Sequence, residues 1–300
     1  MDVIGFGALN LDKIYRVDKI PREDEEGFVK DVELHPGGSA ANTIVGLARL
    51  GLKTGYIGKV GNDGEGELLL KDFERENVDV NGVVKAEGRS GNALIFVDDQ
   101  GHRAILVDPG VNDTIRFDEV NLDYVSKFKL IHLTSFICKN GLNSFLSQKR
   151  LVECLDIKVS FDPGMIYVER GLDDLKDILK RTTLFMPNRM EIEMLFNEEY
   201  TKAARMAIEL GVEIVVVKLG KKGCYIYDGK NEISVRAEEV NAVDTTGAGD
   251  AFNAGFIFGY LSGKDLKDCG RLGNLIAGLN IQKVGARAGL PRYEELNFES

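Results

Sequence analysis

Apolar residues recur along this chain in two rhythms. Short continuous runs that end in small or polar residues predict buried strands. These are "VIGFGALNL", ending near Asn10, then "TGYIGKVG", "KLIHLTS", "KVSFDPG", "TLFMPN" and "IVVVKLG". Between them lie segments with helical periodicity: "GSAANTIVGLARLG", "GEGELLLKDFEREN", "GLDDLKDILKR", "RMEIEMLF" and "TKAARMAIELG". The first of these has a small-residue start and a glycine stop. This alternation predicts an α/β fold, a mostly parallel sheet with helices on both faces. "CYIYDG" and "EISVRAEE" predict antiparallel strands towards one edge, and two long helices follow them.

A second set of strands has period-two or β-branched character: "DKIYRVDKI", "EGFVKDVEL", "NALIFVDD" and "HRAILVD". The last two flank the turn Asp98-Asp99-Gln100-Gly101, a hairpin signal. They come in two pairs, within about 11–36 and 89–108, around a helical region. One small sheet inserted into a single domain spanning 1–300 is expected.

Composition narrows the function. A chain of 300 residues with 44% hydrophobic and 29% charged residues is an ordinary soluble domain near the size limit of one core. A net charge of −10 disfavours nucleic acid as a partner. No apolar run approaches the ~20 residues that span a bilayer, so no membrane partner is expected. "MDVIGFGALNLD" has no basic leader region, and the expected location is the cytoplasm. Cys138, Cys154, Cys224 and Cys269 form no CxxC pair and read as idle thiols. His35, His102 and His132 are far apart, which gives little support to a histidine base or metal site. There is no GxxxxGK[ST], and "GFGALN" lacks the third glycine of GxGxxG.

In parallel α/β sheets ligands bind beyond the carboxyl ends of the strands. Asn10, Asp12, Asp162, Asn188, Lys218 and the segment from Asp244 to Asp250 all follow predicted strands. The strongest motif is "DTTGAGD" (244–250), which opens a helix. A helix cap needs one Asp; it does not need Gly247, Ala248 and Gly249 before it. Near-naked amides aimed at one point form an anion hole. Asp250, itself an anion, then reads as a base working beside a bound anion. In "HPGGSAAN", Gly37 and Gly38 permit a sharp turn and close ligand approach, and Asn42 offers a donor and an acceptor to a sugar hydroxyl. In "PNRME", Asn188 and Glu191 lie at i and i+3. They read either as a capping box or as holders of the water shell of Mg²⁺. In "KLGKKG", Lys218, Gly220 and Gly223 form either a phosphate- or ribose-facing loop or a simple strand-end turn.

These pieces in this order resemble the ribokinase family, the PfkB-type carbohydrate kinases. The likeness covers essentially the whole chain, with "PGVN" (109–112) and "GARAGLP" (285–291) included. The resemblance implies a ribokinase-like α/β core with a β-sheet lid, use of ATP and Mg²⁺, and phosphorylation of a hydroxyl on a small sugar. It implies Asp250 as base and Gly247, Ala248 and Gly249 as anion hole. Asn10, Asp12, Gly37, Gly38, Asn42 and Asp162 would serve the sugar. Asn188, Lys218, Gly220, Gly223 and Asn274 would serve the nucleotide, with Asn188 and Glu191 positioning Mg²⁺. Asp244 and the Gly285–Gly289 loop would add a monovalent-cation site, such as one for K⁺. An exposed lid invites a homodimer. The sequence departs from several members at "FDPGMIY", which keeps Asp162 but has Gly164 where they carry Asn. A nucleoside kinase and a non-catalytic nucleotide or sugar sensor are the alternative readings.

Overall fold

The computed structural model describes residues 1–139 and 141–296. Its strands are β1 (Val3–Phe6), β2 (Asn10–Val17), β3 (Val29–Gly37), β4 (Thr54–Gly61), β5 (Val78–Ala86), β6 (Gly91–Val97), β7 (Arg103–Asp108), β8 (Leu130–Thr134), β9 (Lys158–Asp162), β10 (Leu184–Phe185), β11 (Ile214–Lys218), β12 (Cys224–Tyr227) and β13 (Glu232–Val235). The helices are α1 (Ser39–Arg49), α2 (Gly64–Arg75), α3 (Leu122–Val125), α4 (Asn143–Cys154), α5 (Gly164–Val168), α6 (Leu172–Leu179), α7 (Arg189–Phe196), α8 (Tyr200–Glu209), α9 (Ala248–Leu261) and α10 (Leu266–Asn280).

Nine strands make one sheet in the order β13-β12-β11-β10-β9-β8-β1-β4-β5. Strands from β11 through β5 pair in parallel; β12 and β13 run antiparallel at one edge. Neighbouring residues on a strand feed opposite cores: Ile4, Ile131 and Val215 pack on one face, Val3, Leu130 and Val216 on the other. That two-sided burial is why these strands read as continuous apolar runs. Chain order reverses at β1, with β4 and β5 on one side and β8 onward on the other. Such a switch point opens a crevice beyond the strand ends.

The small sheet has the order β3-β2-β6-β7. Its outer pairs are antiparallel, and its central pair, β2 with β6, is parallel. The first strand departs from the expectation. β1 stops at Phe6, and Asn10 starts the small sheet rather than ending the core strand. The sequence reading also had no place for β5 and α4. "VDVNGVVKA" carries Asn-Gly, a turn signal, inside a strand, and α4 has only a weak apolar stripe.

α9 is apolar around most of its circumference because it lies between α1 and α10. Small residues allow this approach: a side chain on Gly255 would strike the Leu272 carbonyl at 2.5 Å. Among the described residues, no helix is long and apolar enough to cross a membrane, and all four cysteines are free.

Candidate active site

The starts of two helices meet at Asp250. α1 follows Gly38, whose φ is 105° and where a Cβ would lie 2.2 Å from the Ala8 carbonyl oxygen. α9 follows Gly247, with φ 74° and Ala286 O 2.7 Å from a Cβ position. Only glycine fits either place. Gly247, not Asp250, is the N-cap of α9, and it makes no side-chain cap bond. Asp250 is the third residue of the helix, and its carboxylate turns towards α1. Ser39 Oγ donates to Oδ1 at 2.5 Å and Asn42 Nδ2 donates to Oδ2 at 2.8 Å. Burial pushes the Asp250 carboxyl up to about 6; the bonds from Ser39 and Asn42 oppose that rise.

The amides of this helix start divide. Ala248 N–H donates to Thr245 O at 3.2 Å. Among the described residues no acceptor takes the N–H groups of Gly249 or Asp250. Those two open donors, with the helix dipole, favour an anion.

Lys218 reaches the same place from the end of β11. Its ammonium pairs with Asp162, stands 3.4 Å from Asn253 Oδ1, and is 3.4 Å from the point where Gly249 would carry a Cβ. Asn253 Nδ2 also donates to Asp162 Oδ2 at 2.7 Å. Asp162 is only 6% exposed. Burial works to raise its pKa, but Lys218 and Asn253 hold it below the usual carboxylate range. The Lys218 pKa is raised despite burial, through Asp162 and Glu191. Sequence reasoning assigned Asp162 to the acceptor; in the fold it is the counter-ion of Lys218.

Asn188 forms a lone parallel bridge with Lys218 and caps α7. Its Oδ1 accepts from Glu191 N–H at 2.9 Å, and Glu191 Oε2 accepts from Asn188 N–H at 2.7 Å. The capping-box reading is therefore realised, and it leaves Glu191 Oε1 outside the box. Burial first, and Asp162 second, push the Glu191 carboxyl up to about 7. A nearby cation would favour its ionised form. Among the described residues no cluster of three His, Cys, Asp or Glu could hold a metal directly. A carboxylate acting on Mg²⁺ through water, with phosphates supplying other ligands, fits this donor set.

A cavity of about 820 Å³ opens beside the α9 start, lined by Lys218, Gly220, Gly223, Ala248, Gly249 and Asn274 among others. Asn274 Nδ2 bonds the carbonyls of Val235 and Arg236 at 3.2 and 3.3 Å. Asn188 lines an adjoining cavity of about 320 Å³ with Lys218 and Gly220. Asp244 Oδ2 accepts from Gly285 N–H at 2.8 Å, so the two loops expected to flank a monovalent cation are in contact.

On the other side of Asp250 lie the expected acceptor residues. Asn10 Oδ1 accepts from Asn112 Nδ2 at 2.7 Å, and Asn112 also brackets the backbone of Leu9 at 3.1 Å. Gly37 packs against the Asp12 carboxylate, 2.6 Å from a Cβ position. Burial pushes Asp12 up to about 6, with Arg287 and His35 pulling it down. Asn42 differs from its expected role. Its oxygen accepts from Arg287 Nε at 2.7 Å while its nitrogen serves Asp250. Arg287 was missed from sequence, as were Ser39, Asn112 and Asn253. "HPGGSAAN", "PGVN" and "GARAGLP" pointed to the segments of Ser39, Asn112 and Arg287 without singling out those side chains.

A mostly parallel sheet with a separate four-stranded sheet, and a helix start whose open amides stand beside a buried carboxylate, is an arrangement suited to phosphoryl transfer. The chain belongs to the pfkB family of carbohydrate kinases, whose profile matches residues 2–292. It is a phosphotransferase with an alcohol group as acceptor. It is 64% identical over 248 residues to a protein of Archaeoglobus fulgidus described as an uncharacterized sugar kinase, covering 83% of this chain and 99% of that one. The crystal structure of ribokinase from Thermotoga maritima aligns with a TM-score of 0.88 at 27% identity, covering 98% of this chain and 97% of that one. The nucleoside kinase of Methanocaldococcus jannaschii aligns with a TM-score of 0.83 at 25% identity, covering 98% and 96%.

Proposed function

We propose that this protein is a cytoplasmic kinase that transfers the γ-phosphoryl group of ATP to a hydroxyl of a small sugar. The observation that carries this reading is the Asp250 carboxylate, held by Ser39 and Asn42 next to the open amides of α9. The acceptor hydroxyl gives its proton to Asp250 as its oxygen bonds to the γ-phosphorus, and the bond from that phosphorus to the ADP oxygen breaks. The N–H groups of Gly249 and Asp250, with Gly247 and Ala248 shaping the loop and Lys218 below, hold the charge on the transferring group. Asn188, Gly220, Gly223 and Asn274 border the nucleotide. Mg²⁺ would neutralise phosphate charge, with Asn188 and Glu191 ordering its water shell. Asp244 and the 285–289 loop would supply carbonyls to a monovalent cation. Asn10, Asp12, Gly37 and Gly38 face the acceptor.

The chain acts as one domain, 1–300, in which the small sheet is a lid that excludes water from the reaction. A nucleoside acceptor is the second reading, favoured by one feature of that lid. Register places Ile14, Ile95 and Ile105 on the face that carries Asp12, and Ile105 is 52% exposed. An apolar patch beyond a hydroxyl-binding carboxylate suits a nucleobase. ADP release measured over a panel of free sugars and nucleosides tests both. A free sugar with the highest kcat/KM supports the first reading; a nucleoside with the highest value replaces it. ATP binding without ADP release from any acceptor would leave a sensor.

A further inference from the structure

The Asn42 amide has one acceptor end and one donor end, and both are used. Arg287 Nε donates to its oxygen at 2.7 Å, and its nitrogen donates to Asp250 at 2.8 Å. Only this orientation satisfies both neighbours, because a guanidinium offers no acceptor and a carboxylate no donor. A flipped amide would set its oxygen against the Asp250 carboxylate and its NH₂ group against the guanidinium.

Arg287 is itself firmly held. Its side chain is 10% exposed, Nη1 donates to Asp72 Oδ2 at 2.6 Å, and the guanidinium lies 6.0 Å from the centre of the Phe73 ring. Its backbone carbonyl accepts from Arg49 Nη1 at 2.7 Å, and Arg49 is paired with Glu76. The segment after α10 is therefore clamped onto α1 and α2, with Arg287 aimed at one amide.

We infer that Arg287 is a positioning residue for phosphoryl transfer, acting through Asn42 to present the Asp250 carboxylate as an ionised proton acceptor. This rests on the reading of Asp250 as the base. The charged and titratable groups that bear on Asp250 are Asp162 from β9, Lys218 from β11, Glu191 from α7 and Tyr56 from β4, whereas Arg287 itself bears on Asp72, Tyr56, Glu76 and Asp12. Asp162 and Lys218 pair with each other and act on Asp250 in opposite senses, Asp162 raising its pKa and Lys218 lowering it.

Two substitutions separate the relay from a structural role. Gln at 287 places its amide nitrogen where Arg carries Nε, keeping the donor to Asn42 and losing the charge. Lys places a methylene there and its nitrogen one atom further on, keeping the charge and losing the donor. The relay predicts that Arg287→Gln keeps most of kcat and the acidic limb of the pH profile. Arg287→Lys then loses kcat about 10- to 100-fold, with the limb moved to higher pH and KM for ATP unchanged. Asn42→Ala matches Arg287→Lys, and the double variant is no worse than either. The reverse order, Lys better than Gln, makes Arg287 a partner of Asp72 only and overturns the inference. So do losses that multiply in the double variant. If Arg287→Lys does not fold, Arg287→Gln against Asn42→Ala carries the same comparison. Asp250→Asn run in parallel separates the two readings: full turnover there removes the base, whereas a dead Asp250→Asn with no Gln–Lys difference removes only the relay.

Discussion

Asp162 and Lys218, the last residues of β9 and β11, form a buried ion pair beneath the first turn of α9. Breaking a buried pair leaves one uncompensated charge, which typically costs about 3–5 kcal/mol. Lys218→Met should lower the melting temperature and lower kcat by about 10²-fold, the scale seen for loss of one group that stabilises a developing anion. Adding Asp162→Asn should recover much of the stability and none of the kcat. Melting curves and turnover on the same preparations decide it: recovery of both would make Lys218 a structural residue.

Asp250→Asn should fold and lose turnover about 10²- to 10⁴-fold. Its carboxylate does not cap α9, and the amide can still meet Ser39 or Asn42. Measured kcat, ATP affinity and melting separate the cases; retained kcat per folded molecule would exclude a base at this position.

Asp250 also sets a pH dependence. Its pKa in the fold is about 6, raised chiefly by burial from 3.8. As a base it must be ionised, so kcat/KM should fall as pH drops through about 6. The stability effect has the opposite sense. A raised carboxyl pKa contributes stability below about pH 4 that is lost as pH rises through about 6. Asp250→Asn should therefore gain a few degrees in Tm over wild type at pH 8 and lose that gain at pH 4.

Glu191→Gln keeps the capping box, because its amide oxygen can accept from Asn188 N–H as Oε2 does. With the wild-type carboxyl raised to about 7 by burial and by Asp162, the variant should melt higher than wild type at pH 8 and equally at pH 4. If Glu191 orders the metal's water shell, the Mg²⁺ concentration for half-maximal turnover should rise several-fold. An unchanged Mg²⁺ titration would leave Glu191 as a cap alone.

The face of the small sheet opposite to Asp12 carries Leu34 and Leu106 on its edge strands, 48% and 61% exposed. Paired through the lid, two copies would cover them. Leu106→Glu should convert a dimer to monomer in sedimentation equilibrium. A wild-type protein that sediments as a monomer throughout the concentration range would exclude this pairing.

Local chemistry made several of these features legible in the sequence. Gly38 and Gly247 mark helix starts because their backbones require glycine. The i, i+3 spacing of Asn188 and Glu191 offers the capping box that forms, as one of two readings. Apolar runs such as "IVVVK" announce a strand buried on both faces. Each signal lies within a few residues, where sequence order and space coincide.

The sequence by itself determined the layered α/β architecture, the inserted strands and the helix start that carries Asp250. Only the tertiary structure decided which side chains face that carboxylate. Asp162 looks like a ligand at a strand end until Lys218, 56 residues later, neutralises it. Asn42 looks free of protein partners until Arg287, 245 residues later, donates to its oxygen. Periodicity reports whether a side chain meets the core or the solvent. It does not report which polar partner waits there, because that partner arrives on a different strand or loop, and only packing fixes the distance between them.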